Sequence, residues 1–376
     1  MAPLSIGLLA EDGSRPEQRV ALLPEHLATL KNLGVEHVLV EKGAGASATF
    51  SDAAYAEAGA TIVSRAEALA CPLLLCIHRP HDAPQGATLV GGFNPLVDPA
   101  GAEALAAANT TAFSLDVIPR TTRAQAMDIL SSMATVSGYR AVLLAATHLP
   151  RFFPLFMTAA GSIKPAKVLI LGAGVAGLQA IATARRLGAV VEASDVRQAA
   201  KEEILSLGAK FVEVEGAVED TGAGGYAVQQ SAEFLERQQA EVQKRAAQAD
   251  VIIATAQIPG RKAPLLISEE TVALMRPGSV VVDLAASTGG NCAGSVDGET
   301  VYRHGVCLIG ASNLATGLPA DASKMFGKNI LNFLPLLIRE GALSPDWDDE
   351  LVTGTCVSRD GKVVHPRVLS LLNPPS

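Results

Sequence analysis

KVLILGAGVAGLQAIATARRLGAVVEASDVR, residues Lys167 to Arg197, is the stretch from which the fold of this chain is read. Val168 to Leu171 is a short apolar run of the kind buried on both faces of a parallel sheet. Gly172, Gly174 and Gly177 then form G-x-G-x-x-G where a strand would turn into a helix. The first glycine permits the turn, the second lets the backbone approach a pyrophosphate, and the third lets helix and strand pack closely. A helix from Val175 to Leu187 would aim its unpaired N–H groups and its dipole at those phosphates. Gly188 ends it, and Ala189 to Ser194 reads as a second strand. Asp195 follows about twenty residues after the turn, where a carboxylate takes the ribose hydroxyls of adenosine. The spacing therefore predicts a dinucleotide site on Gly172, Ala173, Gly174, Val175, Gly177, Asp195, Val196 and Arg197. Asp195 points to NAD rather than NADP, since a carboxylate repels a 2′-phosphate, although Arg197 lies only two residues on. A membrane helix over the uncharged Val168 to Ala184 is the competing reading. It is a little short and its glycines are spaced for a turn. A Rossmann-like domain without a ligand is another.

The 376 residues suffice for two or three domains, and 49% hydrophobic with 18% charged residues describes an ordered globular chain. A net charge of -8 and the lack of basic stripes argue against nucleic acid or an anionic membrane as partner. Five cysteines, Cys71, Cys76, Cys292, Cys307 and Cys356, suggest reduced thiols and a cytoplasmic setting. The opening MAPLSIGLLAEDGSRPE lacks the basic region of a signal peptide, and no run reads as a membrane span.

Ahead of the glycine turn, strands and helices alternate. Strands are expected at Leu4–Ala10, Glu36–Val40, Thr61–Val63, Leu73–Ile77, Thr88–Gly91 and Thr111–Ser114. Helices are expected after Pro24, over Asp52–Ala58 with Ser51 as N-cap, and over Ala100–Ala108. Such alternation predicts a parallel sheet. Thr122 to Thr147 reads as one long helix, free of proline, crossing between domains. Beyond the turn, strands are expected at Lys210–Val214, Val251–Ala254, Ser279–Asp283 and Val306–Ile309, with a polar helix over Val228–Gln248. Phe326 to Arg339 reads as a helix returning to the first domain and broken at Pro335, and the tail as a β-hairpin. The expected fold is α/β, with two Rossmann-like doubly wound parallel-sheet domains and a cleft between them. Residues 1–134 plus 321–376 form one, and 135–320 form the NAD(H)-binding other.

PRTTRAQAMDILSS, Pro119 to Ser132, spaces Gln125, Asp128 and Ser131 three apart, which on a helix is one face. Arg120 precedes them. Together they offer a guanidinium, an amide, a carboxylate and a hydroxyl to a carboxamide such as that of nicotinamide. A solvated helix face is the equal alternative.

This segment resembles the PRxSRAQxxDxLSS loop of the NAD(H)-binding component (domain I, the first portion of the alpha subunit) of proton-translocating NAD(P) transhydrogenases, in the alanine dehydrogenase/transhydrogenase family. The resemblance runs over nearly the whole chain, through EQRVALLPE, MTAAGSIKPAKVLILGAGVAGLQAIATARRLGA, GGYA at Gly224 to Ala227, IPGRKAPLLI at Ile258 to Ile267 and GSVVVDLAASTGGNC at Gly278 to Cys292. It implies that Arg120, Gln125, Asp128 and Ser131 hold the nicotinamide end. It also implies that Gly225, Tyr226, Gln238 and Gln257 line the nucleotide, Gln257 standing where leucine is usual. The implied activity is hydride transfer between NAD(H) here and NADP(H) on a separate subunit, coupled to proton translocation by a membrane-embedded channel subunit. A homodimer is implied, cytoplasmic and attached to the inner membrane through its partners, without inserting itself. The glycines of Asp220 to Tyr226 suggest a mobile loop over the nucleotide. Where the family has P-S-R after Ser312-Asn-Leu, this chain has Ala315, Thr316 and Gly317.

Alanine dehydrogenases resemble the chain too, and Arg19 matches their carboxylate-binding arginine. They also use a first-domain lysine and histidine on the amino acid. This chain has no lysine between Lys42 and Lys164, and carries Cys76 and His78 where relatives often have Lys or Gln. That favours transhydrogenase, with an NAD-sensing module as a further alternative. No metal is expected, since Cys71, Cys76 and His78 lack a fourth ligand at suitable spacing, and Cys292 reads as packing against the sheet.

Overall fold

The computed structural model describes residues 4–11, 13, 16–197, 199–213, 232–257 and 260–373. They form two compact units, one of residues 1–133 and 315–376, the other of residues 134–314.

In the first unit β1 (Ser5–Leu8), β2 (His37–Glu41), β3 (Thr61–Val63), β4 (Leu73–Leu75), β5 (Thr88–Gly91) and β6 (Thr111–Ser114) are all parallel. They lie in the order 3-2-1-4-5-6, that of a doubly wound sheet. Side chains alternate between two cores as the period of two requires. Ile6, Leu8, Leu73 and Leu75 enter one, and Leu74, Leu89 and Ala112 the other. Ser51 caps the helix Asp52–Glu57, its Oγ accepting the Ala54 N–H at 3.2 Å. The tail adds Cys356–Arg359 antiparallel to β6, with Lys362–Val363 outside it.

The second unit repeats the plan. Its strands are β7 (Lys167–Leu171), β8 (Val190–Ser194), β9 (Lys210–Phe211), β10 (Val251–Ala254), β11 (Val280–Asp283), β12 (Thr300–Arg303) and β13 (Val306–Gly310). They lie in the order 9-8-7-10-11-13-12, with only β12 antiparallel. Val168, Ile170, Ile253 and Val282 face one core, and Leu169, Leu171, Ile252 and Val281 the other. The expectation of α/β folding on two parallel-dominated, Rossmann-like sheets agrees with this architecture.

Four local expectations need correction. Thr122–Thr147 is not one helix: a 3₁₀ turn, Arg123–Met127, is followed by extended Asp128 and then by the helix Ile129–His148. The returning helix is Pro319–Phe333, entered through Pro319 at its first turn. Pro335 does end it, falling in the 3₁₀ turn Leu334–Leu336. The edge strand β12, polar and mostly exposed, carries too weak an apolar pattern to be read. The tail contains helices Glu350–Thr355 and Pro366–Leu372 besides its hairpin.

Ile129–His148 is long and apolar enough to cross a membrane by length and composition. Its Ala141, Val142 and Ala145 are instead buried in the core of the second unit. Gly138 brings it against the helix Val175–Arg186 so closely that a Cβ there would lie 2.1 Å from the Ala176 carbonyl oxygen. Val168–Ala184, the other uncharged stretch, divides into β7, the turn and a helix.

Candidate functional site

The glycine turn leaves β7 beside β10, where the strand order of the second unit reverses. Ligands of doubly wound sheets bind at this point, outside the carboxyl ends of the strands. Each glycine meets a different constraint. Gly172 has φ 93°, a left-handed conformation that L side chains rarely adopt. Gly177 permits contact, since a Cβ there would stand 1.9 Å from the Gly172 carbonyl oxygen. Gly174 has an ordinary φ of -70° and nothing within 4 Å of where its Cβ would be. No part of the described protein requires glycine at 174. What a side chain there would fill is the open cradle before the helix Val175–Arg186. Gly174 is that helix's N-cap and provides no side-chain cap, so the first-turn N–H groups lack the usual intramolecular acceptor. An anionic pyrophosphate suits this donor set.

Asp195 closes the turn from below. Its Oδ2 accepts the Ala173 N–H at 2.7 Å, and its Oδ1 accepts the Arg197 N–H at 2.8 Å. Val196 and Val175 are exposed beside it. Gln238, on the helix Ala232–Ala246, donates to the Asp195 carbonyl at 3.4 Å. Gln257 follows β10 and donates to the Leu284 carbonyl at 2.6 Å. Gly225 and Tyr226, with the loop expected over Asp220–Tyr226, lie outside the described residues.

Three residues that sequence reading missed hold the opposite wall. Thr255 Oγ donates to the carbonyls of Leu171 and Gly172 at 3.2 and 3.0 Å, tying β10 to the turn. Fully buried Asn291 accepts the Ala256 N–H at 3.0 Å and donates to the carbonyls of Ala256 and Pro264 at 2.9 and 2.8 Å. Fully buried Asp283 accepts the N–H groups of Ala285, Asn291 and Cys292 and the Ser295 hydroxyl, fixing the GGNC turn. The signal was present as an acid ending a strand, followed by glycines. Cys292 is buried in the sheet's core and its thiol is pushed up to about 12, chiefly by burial, so it packs.

In the first unit, Asp128 and Ser131 meet without sharing a helical face. Asp128 stands before the helix Ile129–His148, its Oδ1 accepting the Ser131 N–H at 3.0 Å and its Oδ2 the Ser131 hydroxyl at 2.6 Å. This is the N-cap contact, and it costs the carboxylate part of its capacity. Gln125 is exposed on the 3₁₀ turn and Arg120 is exposed ahead of it. The turn is anchored by Asn329 and Asn332, which both donate to the Ala126 carbonyl, at 2.8 and 2.9 Å.

The first unit also has a crevice at its own point of strand reversal, with a cavity of about 120 Å³ lined by residues that include Glu11, Glu17, Cys76 and His78. Glu17 accepts Arg19 Nε and Nη2 at 2.8 and 2.6 Å, and pairs with His78 Nε2 at 2.8 Å. Burial pushes the Glu17 carboxyl up, but hydrogen bonds from Arg19 and His78 prevail and hold it well below the usual carboxylate range. Arg19 is thus engaged on both edges of its fork by the protein's own acid. Cys76 is buried in the wall, its thiol pushed up by that burial.

Two family models cover most of the chain. That of "Alanine dehydrogenase/PNT, N-terminal domain" matches residues 7–137, and that of "Alanine dehydrogenase/PNT, C-terminal domain" matches residues 141–366. The chain belongs to the alanine dehydrogenase/PNT family. Within it, the chain is 46% identical to the first portion of the split NAD(P) transhydrogenase subunit alpha of Rhodospirillum rubrum, over 93% of this chain and 95% of that protein. The solved structure of transhydrogenase from Sinorhizobium meliloti superposes with a TM-score of 0.88 at 41% identity, covering 96% of this chain and all of that one. Alanine dehydrogenase of Mycolicibacterium smegmatis is 27% identical over 96% of this chain and 94% of its own length. The identities put this member of the family with the enzymes named NAD(P) transhydrogenase subunit alpha, as the motifs implied, and with binders of a nicotinamide dinucleotide.

Proposed function

We propose that this chain is the NAD(H)-binding catalytic subunit of a proton-translocating transhydrogenase, passing hydride directly between NAD(H) and NADP(H) held on a partner subunit. The observation that carries this reading is the open cradle at Gly174 ahead of an uncapped helix, with Asp195 beneath it. Gly172 to Gly177 would take the pyrophosphate, and Asp195 the adenosine ribose. Gln238 and Gln257 would line the site. Arg120, Gln125, Asp128 and Ser131 would orient the nicotinamide carboxamide. Bound NAD(H) supplies a ring carbon that gives or accepts hydride. The protein's own task is positioning and exclusion of water, with no acid or base to provide. The relatives' names support partners on separate chains: an NADP(H)-binding subunit and a membrane-embedded proton channel. The subunit would then be cytoplasmic and held at the inner membrane by those partners. A homodimer is supported by the apolar hairpin Phe156–Thr158/Gly161–Ile163, where Phe156, Met157 and Ile163 are exposed.

The test combines the purified chain with an NADP(H)-binding partner subunit. Alone it should bind NADH and reduce nothing, pyruvate with ammonia included. With the partner it should transfer hydride. Arg120→Ala or Gln125→Ala should slow transfer roughly thirtyfold to a thousandfold, a barrier change of about 2–4 kcal/mol, while barely weakening NADH binding. NADH-dependent amination of pyruvate by the isolated chain would instead establish alanine dehydrogenase. The engagement of Arg19 by Glu17 and the lack of a lysine from 43 to 163 speak against that outcome.

A further inference from the structure

Asp195 is fully subscribed. Besides the backbone N–H groups of Ala173 and Arg197, it accepts Arg197 Nε on Oδ1 at 3.0 Å and Arg197 Nη2 on Oδ2 at 3.1 Å. An ionised carboxylate offers about four acceptor positions, and all four are taken. Two of the donors are main-chain groups fixed by the glycine turn and the strand end. The other two sit on one flexible side chain, which is also the outer layer: Asp195 is 7% exposed and Arg197 27%. A ribose bringing hydroxyl donors to this acid needs the acceptor positions that the guanidinium occupies.

We propose that Arg197 is a latch over Asp195, released when the adenosine ribose is accepted, and that it sets the discrimination between NADH and NADPH. This rests on the reading of Asp195 as the ribose acid. A latched acid is incompetent for ribose, so the apparent affinity for NADH is the intrinsic one reduced by the unlatched fraction. The same guanidinium acts oppositely on NADPH. It neutralises the carboxylate that repels a 2′-phosphate and, once displaced, offers that phosphate a planar pair of donors. Arg197 therefore weakens NADH binding and strengthens NADPH binding, narrowing a preference that Asp195 alone would make steeper.

The test is fluorescence titration of NADH and NADPH against the unmodified chain, Arg197→Met, Arg197→Gln and Asp195→Asn. Methionine keeps most of the apolar stem and removes the charge and donors, and glutamine covers the case in which methionine folds poorly. Either should bind NADH roughly threefold to thirtyfold more tightly and NADPH more weakly. A merely structural role would move both nucleotides the same way. Weaker NADH binding by both Arg197 variants, with Asp195→Asn also weakened, overturns the latch and leaves the ribose reading standing. Unchanged NADH binding by Asp195→Asn overturns the ribose reading itself, and the latch with it.

Discussion

Gly174 and Gly177 belong to one motif, yet alanine at each should do opposite things. At 177 the added Cβ would meet the Gly172 carbonyl oxygen at 1.9 Å, and that atom is backbone at a turn with φ 93°. Relief requires the helix Val175–Arg186 to move off the sheet. Overpacking of this kind costs about 1–3 kcal/mol, or more where the obstacle is rigid. For a unit of this size that is a drop of roughly 2–12 °C in the unfolding transition. At 174 the Cβ meets nothing within 4 Å, and φ -70° with ψ -171° is open to any L residue. Alanine there restricts the unfolded chain and should be neutral or stabilising by about 0.4–1 kcal/mol. Its methyl group, however, fills the space into which a pyrophosphate must come. Holding the phosphate away from the helix N–H groups forfeits charge-assisted hydrogen bonds of about 1.5–3 kcal/mol each, a loss of roughly tenfold to a hundredfold in NADH affinity. Differential scanning calorimetry and NADH fluorescence titration read the two quantities separately. The reasoning fails if Gly174→Ala melts as early as Gly177→Ala, or if it binds NADH as the unmodified chain does.

Glu17→Gln should destabilise the first unit at neutral pH by about 3–5 kcal/mol, because it leaves the nearly buried Arg19 without its countercharge. The folded Glu17 carboxyl lies below its ordinary 4.5, so its contribution is complete above that value and is lost as pH falls beneath it. Urea melts between pH 7 and pH 3 should show a shallower acid limb in the variant. Asp128→Ala should cost about 1 kcal/mol through the lost N-cap, measurable by chemical denaturation. Cys292 should resist iodoacetamide at pH 8 in the folded chain and react in urea, as mass spectrometry would show. Calorimetry should find one NADH per chain, and two would refute the distinction between the crevices of the two units.

Both sheets were legible because their strands obey short-range rules. Buried parallel strands are apolar on both faces, and Thr61–Val63, Thr88–Gly91, Thr111–Ser114 and Val251–Ala254 coincide with their expected limits. The roles of Gly172 and Gly177 followed from spacing, since turn and helix packing are local. Asn291 and Thr255 were not legible as parts of the site. Their partners lie 35 and 83 or more residues away, and only the parallel pairing of β7 with β10 brings them together. The Arg120–Ser131 segment shows the opposite limit. Its i, i+3 spacing fits a helix well, but an aspartate can cap a helix as readily as ride on one. Asp128 caps. Sequence periodicity alone does not distinguish these, because both satisfy the same three-residue interval.

The two units share a strand order, and so each has a crevice where that order reverses; the residues after the first central strand decide its use. After β7 come glycines, an open cradle and a twelve-residue helix without a side-chain cap. After β1 come Leu9, Ala10 and Glu11, and here the protein supplies its own anions. The Ala10 N–H is accepted by Glu41 at 2.8 Å, and the N–H groups of Ile77 and His78 by Glu11 at 2.7 and 3.2 Å. Arg65, a large cation lining this crevice, is spent on Glu41 and Asp82 at 3.0 and 2.7 Å. A dinucleotide phosphate brought to this place would meet carboxylates where the second unit presents donors, and would have to displace them from hydrogen bonds already made. Replacing Glu11 by glycine would remove one such acid but leave Glu17 and Glu41 in place, with no capless helix aimed at the gap. The fold provides a crevice at each strand reversal; only the side chains of the second unit leave theirs fit for a phosphate.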